Sequence, residues 1–287
     1  MTEKELYITY KGVRISTQLC TEESLAYFED FSFRPDDFLI VTYPKSGTTW
    51  MQEIVPLIQQ EGDPASVQSR PNWERSPWLE YVQAPSLNLE QRPSPRLFTT
   101  HYPYSMLPPS FFKARPKVIY VMRNPKDVLT SLYHFNRMCC FEPDPESMKQ
   151  FVKTFLDGKE TYGSWFDHVK GWLDAEEKER IFYISYEEMI MDLNSAVTRI
   201  SKFMGKSLGP EVIEKIVGQS RFTSMKKNNM SNYSLVPKGI FDFDKSEFLR
   251  KGITGDWKNH LTVAESELFD SVYKDKMQNV TYKFVWD

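Results

Sequence analysis

The stretch Phe38-Leu39-Ile40-Val41-Thr42-Tyr43-Pro44-Lys45-Ser46-Gly47-Thr48-Thr49-Trp50 decides the fold class. Its first six residues are a short, almost continuous apolar run, as expected of a strand buried on both faces of a sheet. Past the turn, Trp50, Met51, Ile54, Leu57 and Ile58 recur at helical spacing. Pro56 falls inside that pattern and should kink the helix or end it early.

The alternation continues outward. Arg96–Thr100, Lys117–Met122 and Ile181–Ser185 read as further strands. Asn124-Pro125 is an N-cap followed by proline at the first helical position, and Asp144-Pro145 is expected to open a helix in the same way. Gly163–Leu173, Met189–Met204 and Pro210–Val217 read as helices. Strands alternating with helices predict an α/β fold, a central, mostly parallel sheet flanked by helices. No repeat, low-complexity tract or linker divides the chain, which reads as a single domain spanning 1–287. From Gly62 to Arg96 prolines 64, 71, 77, 85, 93 and 95 interrupt it, predicting a long ordered loop anchored by Trp73, Trp78 and Tyr81.

Composition narrows the function. Of 287 residues, 40% are hydrophobic and 26% charged, ordinary for a soluble globular protein. Aromatics at 15% predict a thick core and an aromatic pocket. A net charge of −3 argues against bulk binding of nucleic acid or anionic membrane, but leaves room for a local anion site. No run approaches the roughly 20 apolar residues of a membrane helix, and MTEKELYITYKG lacks the apolar core of a signal peptide. Cys20, Cys139 and Cys140 are three in number with two adjacent, neither a disulfide framework nor a metal-ligand spacing. A reduced cytosol is the expected address.

Three segments carry anion-binding groups. Lys45-Ser46-Gly47-Thr48-Thr49-Trp50 lies between strand and helix, where unpaired N–H groups and the positive dipole end are available. It is not Walker A, since the lysine precedes the single glycine; a plain capped turn is the alternative. Arg123 ends a strand, with Ser131 on the next helix, and faces the crevice where open α/β sheets bind ligands; pairing with Asp127 is the alternative. Arg250-Lys251-Gly252 is either a phosphate clamp or a solvated pair.

Together, KSGTTW, VMRNPKDVLTSLYHF and RKGITGDWK resemble, in order and spacing, the cytosolic sulfotransferases. WERSPW, SYEEM, MSNYSL and GDWKNHLTV are most similar to the hydroxysteroid (alcohol) branch. The resemblance implies a parallel sheet with a nucleotide site at the strand ends. It implies transfer of a sulfuryl group from 3′-phosphoadenosine 5′-phosphosulfate (PAPS) to a hydroxyl or amine, without a metal. By motif, Lys45, Ser46, Gly47, Thr48, Thr49 and Trp50 would wrap the 5′-phosphosulfate. Arg123, Ser131, Arg250, Lys251 and Gly252 would hold the 3′-phosphate. Trp50 and Phe222 would sandwich the adenine, with Tyr186 and Ser220 near it, and Arg221, Thr223, Ser224, Met225, Phe248 and Leu249 would line the same site.

Of the four histidines, His101 directly follows a strand and matches the family's catalytic histidine. It is the expected general base, with Lys45 beside the leaving oxygen; surface or packing roles are expected of His134, His168 and His260. Ser131 is expected to hold Lys45 away until the acceptor binds. Small hydroxyls in Thr99-Thr100-His101, where the phenol-type branch usually has a lysine two residues before the histidine, favour an alcohol acceptor. Trp73, Trp78, Tyr102, Phe135 and Tyr233 are the candidate pocket for a steroid or sterol; phenols and amines remain open. Asn228–Glu247, with few apolar anchors, reads as a mobile lid ordered by nucleotide. Lys258, Thr262, Val263 and Glu267 match the family's dimerisation pattern and predict a homodimer, while Thr262 and Glu265 form a capping box. A P-loop kinase is the first rival, but arginine rather than an acidic magnesium ligand follows KVIYVM. A non-catalytic sterol-binding protein is the second.

Overall fold

The computed structural model describes residues 6–285; residues 1–5 and 286–287, which the single-domain reading includes, lie outside the described residues. An antiparallel hairpin comes first, β1 (Tyr7–Tyr10) and β2 (Val13–Ser16), which the sequence reading leaves unassigned. The central sheet contains β3 (Phe38–Thr42), β4 (Leu97–Thr100), β5 (Lys117–Met122) and β6 (Ile181–Ser185). It is parallel throughout, in the order β4-β3-β5-β6. Phe38 stands level with Leu97 and Lys117, and Val118 with Ile181.

Successive strand residues point to opposite faces. Leu39, Val41, Val118 and Tyr120 therefore feed one core, while Phe38, Ile40, Ile119 and Val121 feed another across the sheet. Both faces are covered by helices, which is why the strands read as unbroken apolar runs. The helices are α1 (Glu22–Asp30), α2 (Thr48–Gln59), α3 (Ala65–Ser69), α4 (Asn72–Arg75), α5 (Pro109–Ala114), α6 (Pro125–Met138) and α7 (Met148–Leu156). There follow α8 (Trp165–Leu173), α9 (Tyr186–Met191), α10 (Leu193–Phe203), α11 (Pro210–Ser220), α12 (Phe222–Lys227) and α13 (Val263–Lys276). Among the described residues no helix is long and apolar enough to cross a membrane.

Pro56 neither ends α2 nor leaves a carbonyl stranded. The carbonyl of Gln52, which Pro56 has no N–H to meet, accepts from Arg75 Nη1 at 2.9 Å. The same guanidinium meets Glu53 at 2.8 Å, both side chains being 1% exposed. A long-range arginine thus replaces the local bond that proline removes.

Several boundaries move for local reasons. Asp144-Pro145 does not open a helix: α7 starts at Met148, its cap being Ser147, which accepts from Gln150 N at 3.2 Å, while Asp144 pairs with Lys245. The stretch read as one helix over Met189–Met204 breaks at Asp192, whose carboxylate caps α10 through Ser195 N at 2.9 Å. The Gly62–Arg96 segment is ordered and holds α3, α4 and two 3-10 turns, with Trp78 bridging to Thr99 of β4. Residues 228–247 are better anchored than their composition suggests. Tyr233 and Phe241 are buried against Trp78 and Met138, and Ser231 bonds Glu53 at 2.6 Å. The capping box of Thr262 and Glu265 on α13 is present.

Candidate active site

All four strands end on one edge, and there a cavity of about 700 Å³ opens. One side of it is built by the β3–α2 turn. Lys45 (φ 69°) and Gly47 (φ 115°) take left-handed backbone conformations that fold the chain tightly under the start of α2. Holding a lysine there costs about 1–3 kcal/mol, the kind of strain found at functional sites. Gly47 is the N-cap of α2 and offers no side-chain cap, so the first N–H groups are left for another acceptor. Among the described residues the buried Ser46 Oγ has no hydrogen-bond partner.

Arg123, at the end of β5, donates to Lys45 O at 3.0 Å and to Ile253 O at 3.1 Å, and its guanidinium lies 4.2 Å over the Tyr186 ring. It does not pair with Asp127, whose carboxylate accepts from Gly255 N and Trp257 N. Arg123 thereby ties the turn to the 250–253 segment, and its buried Nε has no partner among the described residues. Arg250 and Lys251 both reach Asp256, at 2.7 and 2.6 Å. Burial pushes the Asp256 carboxyl up, but hydrogen bonds from Lys251, Asn259 and Arg250 outweigh it and hold the group well below the usual range. Gly252 (φ 67°) lies under Phe222; a Cβ there would fall 2.2 Å from that ring. Trp50 donates to Ser220 O at 2.7 Å and stands edge-on to Tyr186.

Where this side meets the rest of the cavity, Lys45 Nζ sits between the rings of Phe135 (4.3 Å) and Phe248 (4.2 Å). Burial, with Arg123 and Arg250 adding like charge, lowers its pKa to about 7. Ser131 lines the cavity beside it, yet the rings hold the ammonium, and no Lys45–Ser131 hydrogen bond is found among the described residues. His101 follows β4 and is 6% exposed. Its Nδ1 lies 2.9 Å from the carbonyl of Thr42, which can only accept. That bond assigns the proton to Nδ1 and leaves the lone pair on Nε2. Burial lowers the imidazole pKa to about 4, so the ring is neutral near pH 7.

The other side is aromatic. Trp73, Trp78, Phe135 and Tyr233 line it. Trp78 stacks on Tyr81 at 5.0 Å, Tyr233 on Phe248 at 3.8 Å, and Tyr162 stands edge-on to His101 at 5.1 Å. Tyr102 does not belong to the pocket: it is fully buried in the core, edge-on to Phe28 at 4.8 Å, because the chain turns its side chain inward past His101. Ser220 is likewise turned away, its hydroxyl donating to Ile216 O at 2.7 Å. Ser46, Arg221, Thr223 and Ser224 also lie outside the cavity wall, whereas Thr48, Thr49, Phe222, Met225, Leu249 and Gly252 line it. Sequence reasoning missed Tyr162, Phe141 and Phe241 as wall residues. The aromatic just before Gly163 was the available signal, but many aromatics here are core. His168, expected to pack or face solvent, is fully buried and bonded to the His101 carbonyl.

Residues 35–281 match the sulfotransferase domain. The chain belongs to this family. Sulfotransferase 2B1 of Mus musculus is 48% identical over 98% of this chain and 83% of its own length. The 3-beta-hydroxysteroid sulfotransferase of Cavia porcellus is 45% identical over 97% of both chains. Among solved structures, the mouse sulfotransferase SULT7A1 complexed with PAP superposes with a TM-score of 0.81 at 32% identity, covering 96% of each chain. Retinol dehydratase, solved with androsterone and PAP, shares the fold at 23% identity and a TM-score of 0.85, over 97% of this chain and 91% of its own. In this sulfotransferase, His101 and Lys45 thus stand at the seam between a polar, turn-built half of the cavity and an aromatic half. Among the described residues there is no group of three or more His, Cys, Asp or Glu placed to hold a metal ion.

Proposed function

We propose that this sulfotransferase moves the sulfuryl group of PAPS to the hydroxyl of a steroid, sterol or similar apolar alcohol, with His101 as general base. The observation that carries the reading is His101 itself, a neutral imidazole with Nδ1–H spent on Thr42 O and Nε2 without a partner among the described residues, at the seam of the two halves. The names of the Mus musculus and Cavia porcellus relatives and the PAP of the mouse neighbour support donor and acceptor class.

The polar half fits a donor with two anionic ends. Arg123, which lines the cavity between the Lys45 turn and Ile253, keeps a buried Nε without a partner among the described residues. Lys45 to Trp50 would take the phosphosulfate. Arg123, Ser131 and Arg250 to Gly252 would take the 3′-phosphate, while Trp50, Phe222 and Tyr186 would hold the base. His101 Nε2 removes the acceptor proton as that oxygen bonds to sulfur and the bond from sulfur to the phosphate oxygen breaks. Lys45 offsets the charge on the departing oxygen. In the aromatic half, Trp73, Trp78, Phe135 and Tyr233 would clasp a rigid apolar skeleton.

Three further readings complete the proposal. A homodimer through Lys258, Thr262, Val263 and Glu267 is supported by Val263, an apolar residue 75% exposed at the start of α13. A cytosolic address is supported by three unpaired thiols. Residues 228–247 act as a lid, supported by Leu235, Val236, Ile240 and Phe241 lining the cavity.

The test is PAPS-dependent formation of adenosine 3′,5′-bisphosphate across hydroxysteroids, sterols, aliphatic alcohols and phenols. Hydroxysteroids should lead; phenols leading would overturn the acceptor class and keep the chemistry. His101→Ala should lower turnover by about 10²–10⁴-fold with nucleotide affinity preserved. Parallel loss of both would make His101 structural.

A further inference from the structure

His101 has four polar handles, and three are secured from inside the protein. Its Nδ1–H goes to Thr42 O of β3. Its backbone N–H donates to Glu80 Oε1 at 2.8 Å. Its carbonyl accepts from His168 Nε2, on α8, at 3.1 Å. Only Nε2 is left.

Glu80 is an odd residue to find there. It is 0% exposed, and among the described residues its Oε2 has no hydrogen-bond partner and no ion pair engages it. Burial pushes its carboxyl up to about 7, against the pull of the His101 N–H, its own N–H and the Thr100 hydroxyl. A buried carboxyl without a counter-charge is costly and needs a reason to be present. Its position supplies one, since Glu80 lies between Trp78 and Tyr81, two residues of the aromatic wall. Beside the main-chain bonds that pair Pro77 and Leu79 with Thr99, this hydrogen bond ties that wall to the peptide that carries His101.

His168 is equally committed. Burial holds its imidazole pKa at about 3, so the ring is neutral. Tyr120 of β5 donates its hydroxyl to His168 Nδ1 at 2.9 Å, which leaves the proton on Nε2 and aims it at the His101 carbonyl. The tautomer is thus set by a strand two positions across the sheet from β4. Neither Glu80 nor His168 lines the cavity.

We propose that Glu80 and His168, the latter oriented by Tyr120, are positioning residues that grip the His101 peptide from its two sides and keep Nε2 aimed into the cavity. This rests on His101 being the base. Displacing a reacting group by about 1 Å can cost about 100-fold in rate, so the grip acts on the chemical step and leaves nucleotide binding alone.

The experiment measures single-turnover rate with PAPS and the best acceptor of the panel, and adenosine 3′,5′-bisphosphate affinity by calorimetry. The chains compared are wild type, His101→Ala, Glu80→Ala, Glu80→Gln and Tyr120→Phe. Glu80→Ala is expected to slow the chemical step about 10–100-fold with nucleotide affinity and acceptor KM unmoved. Glu80→Gln keeps an oxygen acceptor for the His101 N–H and should stay within about 3-fold of wild type. Tyr120→Phe, which keeps the ring and loses only the hydroxyl, should slow the step by about 3–10-fold. If Glu80→Ala does not fold, as lost nucleotide binding would reveal, Tyr120→Phe decides. Wild-type rates in both Glu80→Ala and Tyr120→Phe would overturn the grip, as would a Glu80→Gln as slow as Glu80→Ala. Those outcomes beside an inactive His101→Ala refute the grip alone; an active His101→Ala refutes the base, and the grip with it.

Discussion

The two halves of the cavity are made by different means. The polar half is made of short contiguous segments, Lys45 to Trp50 and Arg250 to Ile253, joined by Arg123 through the carbonyls of Lys45 and Ile253. Its polar groups are backbone N–H groups and charged tips whose placement follows from a turn and a helix start. The aromatic half draws single rings from Trp73, Trp78, Tyr81, Phe135, Tyr162, Tyr233 and Phe241, scattered over more than half the chain. Its shape depends on how those segments pack on each other. On the proposed function, local geometry thus serves the anionic donor and long-range packing the apolar acceptor.

Arg75 is where the two constructions depend on each other. It joins α2 of the polar half, through Glu53 and Gln52 O, to the 228–247 segment, through Met230 O and Ser231. Removing one member of a buried pair leaves the other charge uncompensated, so Arg75→Ala should cost about 3–5 kcal/mol in urea unfolding and impair nucleotide and acceptor binding together. Loss confined to one ligand would show that the halves are independent.

The next two changes should separate them. Gly252→Ala adds a Cβ at 2.2 Å from Phe222 in a left-handed backbone. It should weaken adenosine 3′,5′-bisphosphate binding by about 10-fold or more, given about 1 kcal/mol or more of strain, with acceptor KM at saturating donor unchanged. Trp78→Ala should do the reverse, raising acceptor KM by about 10-fold while calorimetry finds nucleotide affinity intact. A matching loss in both constants for either variant would break the comparison.

The smallest effect is in pH. His101 is neutral above about 4 and becomes unable to accept a proton below it, and Lys45 in the free enzyme loses its charge above about 7. The kcat/KM for donor should therefore fall on the acid side near 4 rather than near the ordinary imidazole value, and on the alkaline side from about 7. Lys45→Arg should remove the alkaline limb, because arginine stays charged throughout. An alkaline limb unchanged in that variant would assign it to another group.

How much was legible follows the same division. The four strands, the Asn124 cap, the Lys45 turn and His101 could be read because each is signalled within a few residues, by an apolar run, a capping residue or a glycine. The β1–β2 hairpin was not, since its half-exposed residues show no clean alternation. Tyr102 was misplaced by adjacency: the residue next to His101 points the other way, into Phe28.

By itself the sequence determined the strands of the sheet, the Lys45 turn with its uncapped helix start and the strand end at which His101 stands, because hydrogen bonding along a chain and burial of an apolar run are local demands. The tertiary structure alone decided which aromatics face the cavity and which fill the core. It decided that Arg75 would meet the Gln52 carbonyl that Pro56 cannot, and that His168 and Glu80 would meet the His101 main chain. An aromatic ring or a buried carboxyl is defined by its partners, and those partners come from distant parts of the chain.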